Sequence, residues 1–341
     1  MAPKRAVTVA LDGFGVERGF DVLAEGARLA AADGVGVRVF GPERALGLGG
    51  EPGIEVIDTA EAIGNDEDPL PAVRARKGAS VVRAAADVAA GDSAAVVSCG
   101  STGATMAAAT FGLRRLKGVQ RPALAVQLPV PGKPVLFLDV GANVEVRAQH
   151  LVQFAFLGAA FSAAVLDVEN PSVGLLTVGE EAGKGREEVV AAHRLLSEAP
   201  GIRFAGNVEG RDLPAAAVDV VVTDGFTGNV ALKLLEGTAK TVAAAVGDAA
   251  RSNPAAAIGG LLLKPALNGL RRELHPDTTG GAILLGLRGI ALVGHGSSGP
   301  EGIANAVRLA ARCAEVDAIG RTAALLAQGG AGRGALATGD R

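Results

Sequence analysis

Apolar residues fall along this chain in short continuous runs, and most runs end at a cluster of glycine and small polar residues. The runs at 6–11, 35–40, 94–98, 123–128, 134–138, 173–178, 202–205, 218–223 and 289–293 predict strands. Most are apolar throughout rather than alternating, the pattern of strands covered on both faces. Between them, segments 20–32, 79–90, 102–116, 149–166, 187–199, 229–246 and 300–326 carry helical periodicity. This alternation predicts an α/β fold, a three-layer α/β/α sandwich about a mostly parallel sheet. No Pro/Ser-rich linker interrupts it, so 1–328 reads as one domain with an additional helical segment at about 250–275. Residues 329–341 lack apolar periodicity and read as a disordered tail.

Five of the strands run into small-residue loops: Ser98-Cys-Gly-Ser-Thr-Gly103, Asp139-Val-Gly-Ala-Asn143, Gly179-Glu-Glu-Ala-Gly-Lys-Gly185, Asp224-Gly-Phe-Thr-Gly-Asn229 and Gly294-His-Gly-Ser-Ser-Gly299. In an open parallel sheet, loops at the carboxyl ends of strands line one crevice. Glycine's role in tight turns accounts for any single loop. Five with polar tips predict one shared site, and N–H groups unshadowed by side chains suit an anion.

Composition narrows the classes. Two cysteines, Cys99 and Cys313, make no disulfide framework, so a reducing cytoplasm is expected. Residues 1–5 lead into a strand with no signal-peptide pattern, and no apolar run approaches the roughly 18 residues that span a bilayer. A net charge of -3 and few aromatics give no case for nucleic acid.

Several motifs fail on inspection. Gly13-Phe-Gly15-Val-Glu-Arg-Gly19 mimics a dinucleotide fingerprint with one extra residue, but the second strand ends Phe40-Gly41-Pro42 without the acidic partner. Gly179 to Gly185 is one residue short of a P-loop and lacks its Ser/Thr. There is no Gly-x-Ser-x-Gly elbow, and the four His are too scattered for a metal site. No cofactor and no metal are expected.

Read in order, the loops resemble one family. Ser98-Cys-Gly-Ser-Thr-Gly-Ala-Thr-Met106, Leu138-Asp-Val-Gly-Ala-Asn-Val144 with His150-Leu-Val-Gln-Phe154, and Val173-Gly-Leu-Leu-Thr-Val-Gly-Glu-Glu181 carry the likeness. So do Gly206-Asn-Val-Glu-Gly-Arg-Asp212, Asp219-Val-Val-Val-Thr-Asp-Gly-Phe-Thr-Gly-Asn229, Leu261-Leu-Leu-Lys-Pro-Ala266 and Gly294-His-Gly-Ser-Ser298. Together they resemble the bacterial phosphate acyltransferases of phospholipid synthesis (PlsX type), over roughly 60–325. The resemblance implies transfer of a fatty acyl group from acyl-[acyl-carrier protein] to inorganic phosphate, giving acyl phosphate. It also implies a fold related to the isopropylmalate dehydrogenase and phosphotransacetylase group. Two loops depart from the family: Asp12-Gly-Phe-Gly-Val-Glu-Arg18 replaces Asp-Ala-Met-Gly-Gly-Asp, and Ser101 stands in place of an asparagine.

A thioester needs little acid help, because its thiolate leaves with a pKa of about 8.5. Phosphate is itself the nucleophile, so the protein must position it and stabilise an oxyanion. N–H groups of the loops beginning at Gly100, Gly141, Gly225 and Gly296 suit the phosphate, with Ser101, Thr102 and Ser297 beside them. Asn143, Asn229 and His295 are candidate side-chain donors, and Lys184 a candidate charge. Each has a plain alternative: Lys184 a solvated loop lysine, His295 a loop lock. Asp139 and Asp224 are expected to cap helices or orient donors.

An acidic carrier needs a basic patch on this slightly acidic chain. Lys264, Arg271 and Arg272 form one cluster, Arg114, Arg115, Lys117 and Arg121 another; both are open to the reading of a solvated helix face. Leu261, Leu262 and Leu263, flanked by cations, suit either a membrane interface or a homodimer contact. Peripheral membrane association would deliver a labile product to a membrane glycerol-3-phosphate acyltransferase. Two other classes stay open here: an inert carrier or membrane scaffold, and a decarboxylating dehydrogenase on the related fold.

Overall fold

Alternate residues of each central strand feed two different cores. Val9 and Leu11, Ala95 and Val97, Leu136 and Leu138, and Val220 and Val222 enter one apolar cluster. Their neighbours Ala10, Val96, Phe137 and Val221 enter a second. That division is the physical content of runs apolar on every residue. The computed structural model describes residues 7–130, 132–273 and 276–331.

Its eleven strands are β1 (Thr8–Asp12), β2 (Gly36–Gly41), β3 (Ile54–Asp58), β4 (Ala95–Ser98), β5 (Ala123–Leu128), β6 (Val135–Leu138), β7 (Ser172–Leu176), β8 (Arg203–Val208), β9 (Val220–Val222), β10 (Ala282–Leu285) and β11 (Ile290–Val293). They form one sheet in the order β3-β2-β1-β4-β11-β10-β5-β6-β9-β7-β8. Helices cover both faces. On one lie α1 (Phe20–Ala32), α6 (Ala148–Val165), α7 (Glu187–Glu198), α10 (Pro300–Glu315) and α11 (Ala318–Gln328). On the other lie α4 (Ser80–Ala90), α5 (Thr102–Leu113) and the first part of α8 (Gly225–Ala249). The expected α/β/α sandwich is what forms. Short α2 (Glu43–Leu46) and α3 (Pro69–Ala75) sit beside it, and α9 (Pro254–Glu273) forms a helical hairpin with α8.

The sheet is mixed at its centre. β10 is antiparallel to both β11 and β5, and β5 is antiparallel to β6; all other neighbours are parallel. The strands β1, β2, β3, β4 and β11 therefore run one way, and β6, β7, β8 and β9 the other. Their carboxyl ends lie at opposite edges of the sheet, termed here upper (β1, β4, β11) and lower (β6, β7, β8, β9).

Several boundaries moved. β3 and β10 were not anticipated: β3 is a half-exposed edge strand, and β10 has only four residues. The segment 300–326 is two helices, because Asp317 adopts φ 50 and its carboxylate caps Gly320 N–H at 3.1 Å. α8 starts at Gly225, four residues earlier than expected, because Asp224 accepts from Thr227 N–H at 2.9 Å. The start of the expected tail is ordered by Gln153, whose Nε2 donates to the Ala331 carbonyl at 2.9 Å; residues 332–341 lie outside the described residues. α6 is long and apolar enough to cross a membrane, yet most of it is buried as the central core helix.

The first turn of α8 is pressed onto the loop after β6. A Cβ on Gly228 would meet the Asp139 carbonyl oxygen at 1.8 Å, a backbone atom with nowhere to go. Gly228→Ala should therefore cost about 1–3 kcal/mol through overpacking, read as a lowered thermal midpoint. An unchanged midpoint would show that α8 is not seated there.

Candidate active site

The five glycine loops do not share one crevice within the chain. The 98–103 and 294–299 loops stand at the upper edge with the loop after β1, and the 139–143, 179–185 and 224–229 loops at the lower. Reversal of strand direction across β10 and β5 is the cause, and it corrects the expectation of a single cluster.

At the upper edge, β1 and β4 are tied by the Ser98 hydroxyl, which donates to Asp12 Oδ2 at 2.7 Å. Asp12 is buried, which pushes its carboxyl upward, opposed by bonds from Ser80, Ser98 and Phe14. Gly15 has φ +87 and lies so near Gly100 that a Cβ would sit 2.1 Å from its Cα. Glu17 N–H donates to Gly296 O at 2.8 Å, locking the first loop onto the last. Gly100 N–H is already engaged by Ser98 Oγ at 3.1 Å, and Ser101 Oγ caps α5 through Ala104 N–H at 3.4 Å. The Gly100 N–H is thereby spent, whereas Ser101 Oγ accepts at the cap and keeps its own O–H. Thr102, the first residue of α5, is exposed, as is Ser297. Gly296 lies beside Glu17, whose Oε1 is 3.0 Å from where its Cβ would be, so a carboxylate faces that expected anion donor. The neighbouring Ser298, which sequence reasoning passed over, is buried and donates to Asp277 Oδ1 at 3.0 Å.

At the lower edge the organiser is Asp139, with no exposed surface. Its Oδ1 accepts from the N–H groups of Leu124 (3.0 Å), Gly141 (3.2 Å) and Ala142 (2.9 Å). Its Oδ2 accepts from Asn143 N–H and Nδ2, both at 2.7 Å. Burial raises this carboxyl, and the bonds from Ala142, the Asn143 side chain, Leu124 and Gly141 oppose the rise. Asn143 is itself buried; its Nδ2 also donates to Pro122 O, and its carbonyl accepts from Gly225 N–H, both at 2.7 Å. Gly141, Gly225 and Asn143 thus have their donors spent on the fold, and Asn143 acts as a loop lock. This corrects their assignment as substrate donors: small-residue loops leave N–H groups unshadowed, but the Asp139 carboxylate and the Pro122 and Asn143 carbonyls took them first.

Two expected residues are free at this edge. Asn229 projects from the first turn of α8 and Lys184 from the loop after β7; both are exposed, and no bond of either side chain appears among the described residues. Asp224 behaves as expected, capping α8 through Thr227 N–H and Oγ1. Its salt-bridge partner Arg186, missed in the sequence, also pairs with Glu188 at 3.0 Å. Among the described residues no group of three or more His, Cys, Asp or Glu converges as a metal site.

α8 joins the two edges. It starts in the lower group, and one of its residues, Glu236, meets His295 of the upper group at 3.6 Å (Oε1 to Nε2). His295 and Lys233 hold the Glu236 carboxyl down to about 2, His295 contributing most. A carboxyl depressed from its ordinary 4.5 contributes stability that is fully present above about pH 4.5 and is lost as pH falls through about 2. Glu236→Gln should accordingly lower the thermal midpoint near neutral pH, with the gap to the parent closing in acid. A gap independent of pH would show that the ion pair does not anchor α8.

The chain as a whole can now be compared with known proteins. Residues 7–321 match the family model described as "Fatty acid synthesis protein". A phosphate acyltransferase of Elusimicrobium minutum is 48% identical over 267 residues, covering 78% of each chain. One of Geobacillus thermodenitrificans is 41% identical over 319 residues, 92% of this chain and 97% of that one. In fold, the chain is similar to the EutD phosphotransacetylase of Staphylococcus aureus, with TM-score 0.56, 18% identity and coverage of 91% and 94%. It is also similar to 4-hydroxythreonine-4-phosphate dehydrogenase of Klebsiella pneumoniae, with TM-score 0.53, 16% identity and coverage of 91% and 100%. The chain belongs to the phosphate acyltransferase family of fatty acid synthesis proteins, and is an acyltransferase of lipid synthesis.

Proposed function

We propose that the protein transfers a fatty acyl group from acyl-[acyl-carrier protein] to inorganic phosphate, and that the acyl phosphate feeds phosphatidic acid synthesis. The observation that supports this most is the near full-length match to phosphate acyltransferases. The thiols agree with it: Cys99 and Cys313 are buried and burial pushes both up to about 12, so neither offers a thiolate to carry the acyl group. Phosphate attacks the thioester carbonyl directly, the new C–O bond forming as the C–S electrons leave with the carrier's thiolate. On this reading Asn229 at the lower edge and His295 at the upper serve as donors to phosphate or the oxyanion, and Lys184 supplies charge at the lower edge. Thr102 and Ser297 extend the upper one. No cofactor enters this chemistry.

The two arms of the site call for different outcomes. Consumption of long-chain acyl-carrier thioester should require phosphate and persist in chelator. Asn229→Ala should lower turnover about 10²-fold with the thermal midpoint kept. Asn143→Ala should instead cost about 1–3 kcal/mol of stability, since it strips bonds from a buried group. Turnover without phosphate would sink the reaction, and an unaffected Asn229→Ala enzyme would remove that residue from it.

The α8–α9 hairpin suits the peripheral membrane and homodimer roles together. α8 exposes Phe226, Val230, Leu234, Val242 and Val246, while α9 exposes Ile258, Leu261, Leu262 and Leu263, Leu262 being 78% accessible. Lys264 is exposed beside them; the side chains of Arg271 and Arg272 lie outside the described residues. A long apolar face on α8 fits a second copy, and a leucine cluster next to a cation fits a lipid surface, from which product passes to a membrane glycerol-3-phosphate acyltransferase. Burying three leucines contributes about 1.5–3 kcal/mol each, and Lys264 adds about 1 near anionic lipid. Leu262→Glu should abolish vesicle binding with little effect on turnover of soluble substrate. A shift to monomer by light scattering with vesicle binding intact would assign these leucines to the dimer instead.

A further inference from the structure

Six exposed cations from three separate segments converge at the lower edge: Arg114, Arg115, Lys117, Arg121, Arg147 and Arg288. They line two adjoining cavities of about 590 and 260 Å³ whose walls carry no carboxylate. None of the six forms an ion pair among the described residues, although ten other Arg and Lys side chains do. In a chain of net charge -3, so many unopposed like charges would repel without an external anion to offset them. His150 in the same wall records the field: burial first, then Arg121 and Arg147, push it down to about 4.

The cations are held in place by backbone carbonyls rather than acids. Arg115 donates to Gln120 O, Arg121 Nη1 to Glu145 O at 3.2 Å, and Arg288 Nε to Arg115 O at 3.1 Å. A half-exposed aromatic, Phe111, lies among them with the Arg74 guanidinium 4.9 Å over its ring. Charges spread this widely around one apolar contact match a surface bearing several carboxylates better than one small anion. The patch also adjoins the lower loops, since Asn143 Nδ2 bonds Pro122 O in its wall.

We infer that this basic surface, and not the α9 cluster, is where the acidic acyl carrier protein docks, with its prosthetic arm directed toward the Asp139–Asn143 loop and Asn229. The inference rests on the carrier being the acyl donor, as proposed above. Its test is Lys117→Glu/Arg121→Glu in the full chain. Carrier affinity, measured by titrating holo-carrier protein, should fall about ten-fold or more and the parent's affinity should weaken with salt. KM for acyl-carrier thioester should rise in step, while kcat and turnover of a neutral acyl-pantetheine stay near the parent values. Arg114→Glu/Lys117→Glu, two side chains without bonds among the described residues, gives the same readout if Arg121 proves needed for folding. Equal carrier binding by parent and both variants, or no binding by any, overturns the inference. A parent that binds carrier through this surface yet releases no acyl phosphate upholds the docking and defeats only the assigned reaction.

Discussion

The Asp139 carboxylate is the interaction on which the lower half of the molecule depends. One buried group accepts from five N–H donors and ties the start of β5, the end of β6 and the loop between β6 and α6 into one unit. Asn143, held by that carboxylate, in turn holds the first N–H of α8. An ionised carboxylate deprived of water must find compensating donors, and a loop of small residues can fold tightly enough to supply them. The direction of α8 follows from this seat, and with it the positions of Asn229 and of the Glu236–His295 contact.

The second constraint is strand direction. Three antiparallel pairings at the centre, involving β10, β5 and β6, turn half of the sheet around. Loops alike in composition are thereby sent to opposite edges, and α8 links a loop of the lower group to His295 of the upper. The division gives the protein two chemically different edges. The upper carries buried acids and engaged loops around His295, and the lower carries Lys184, Asn229 and a field of cations with no ion pair among the described residues. The reaction proposed above, between phosphate and an acidic carrier, would be served by a surface whose positive charge is concentrated rather than averaged over a nearly neutral chain.

What could be read from residues alone depended on whether the deciding physics was local. Continuous apolar runs identified most of the strands, because burial on both faces is written into each run. The roles of Asp139 and Asp224 were also legible, since an acid before a glycine turn favours capping whatever surrounds it. Asn143 was misread because its partners, Pro122 O and Asp139, stand 21 and 4 residues away, and only the packed loop brings both to one amide. The unopposed character of Arg114, Arg115, Lys117 and Arg121 was hidden too. A charge cluster looks the same in sequence whether acids sit beside it or not, and Arg147 and Arg288 join it only through the fold.

The sequence by itself determined the class of fold, the order of most of its elements and the family, because these rest on periodicity and on long motifs that need no partner to be recognised. The tertiary structure alone decided which way β5 and β10 run, since a short apolar strand has the same pattern in either orientation. It decided, too, which polar groups remain available. A glycine N–H is free or spent according to what packs against it, and here a buried carboxylate, a serine hydroxyl and a backbone carbonyl claimed donors that the loops had seemed to offer a ligand.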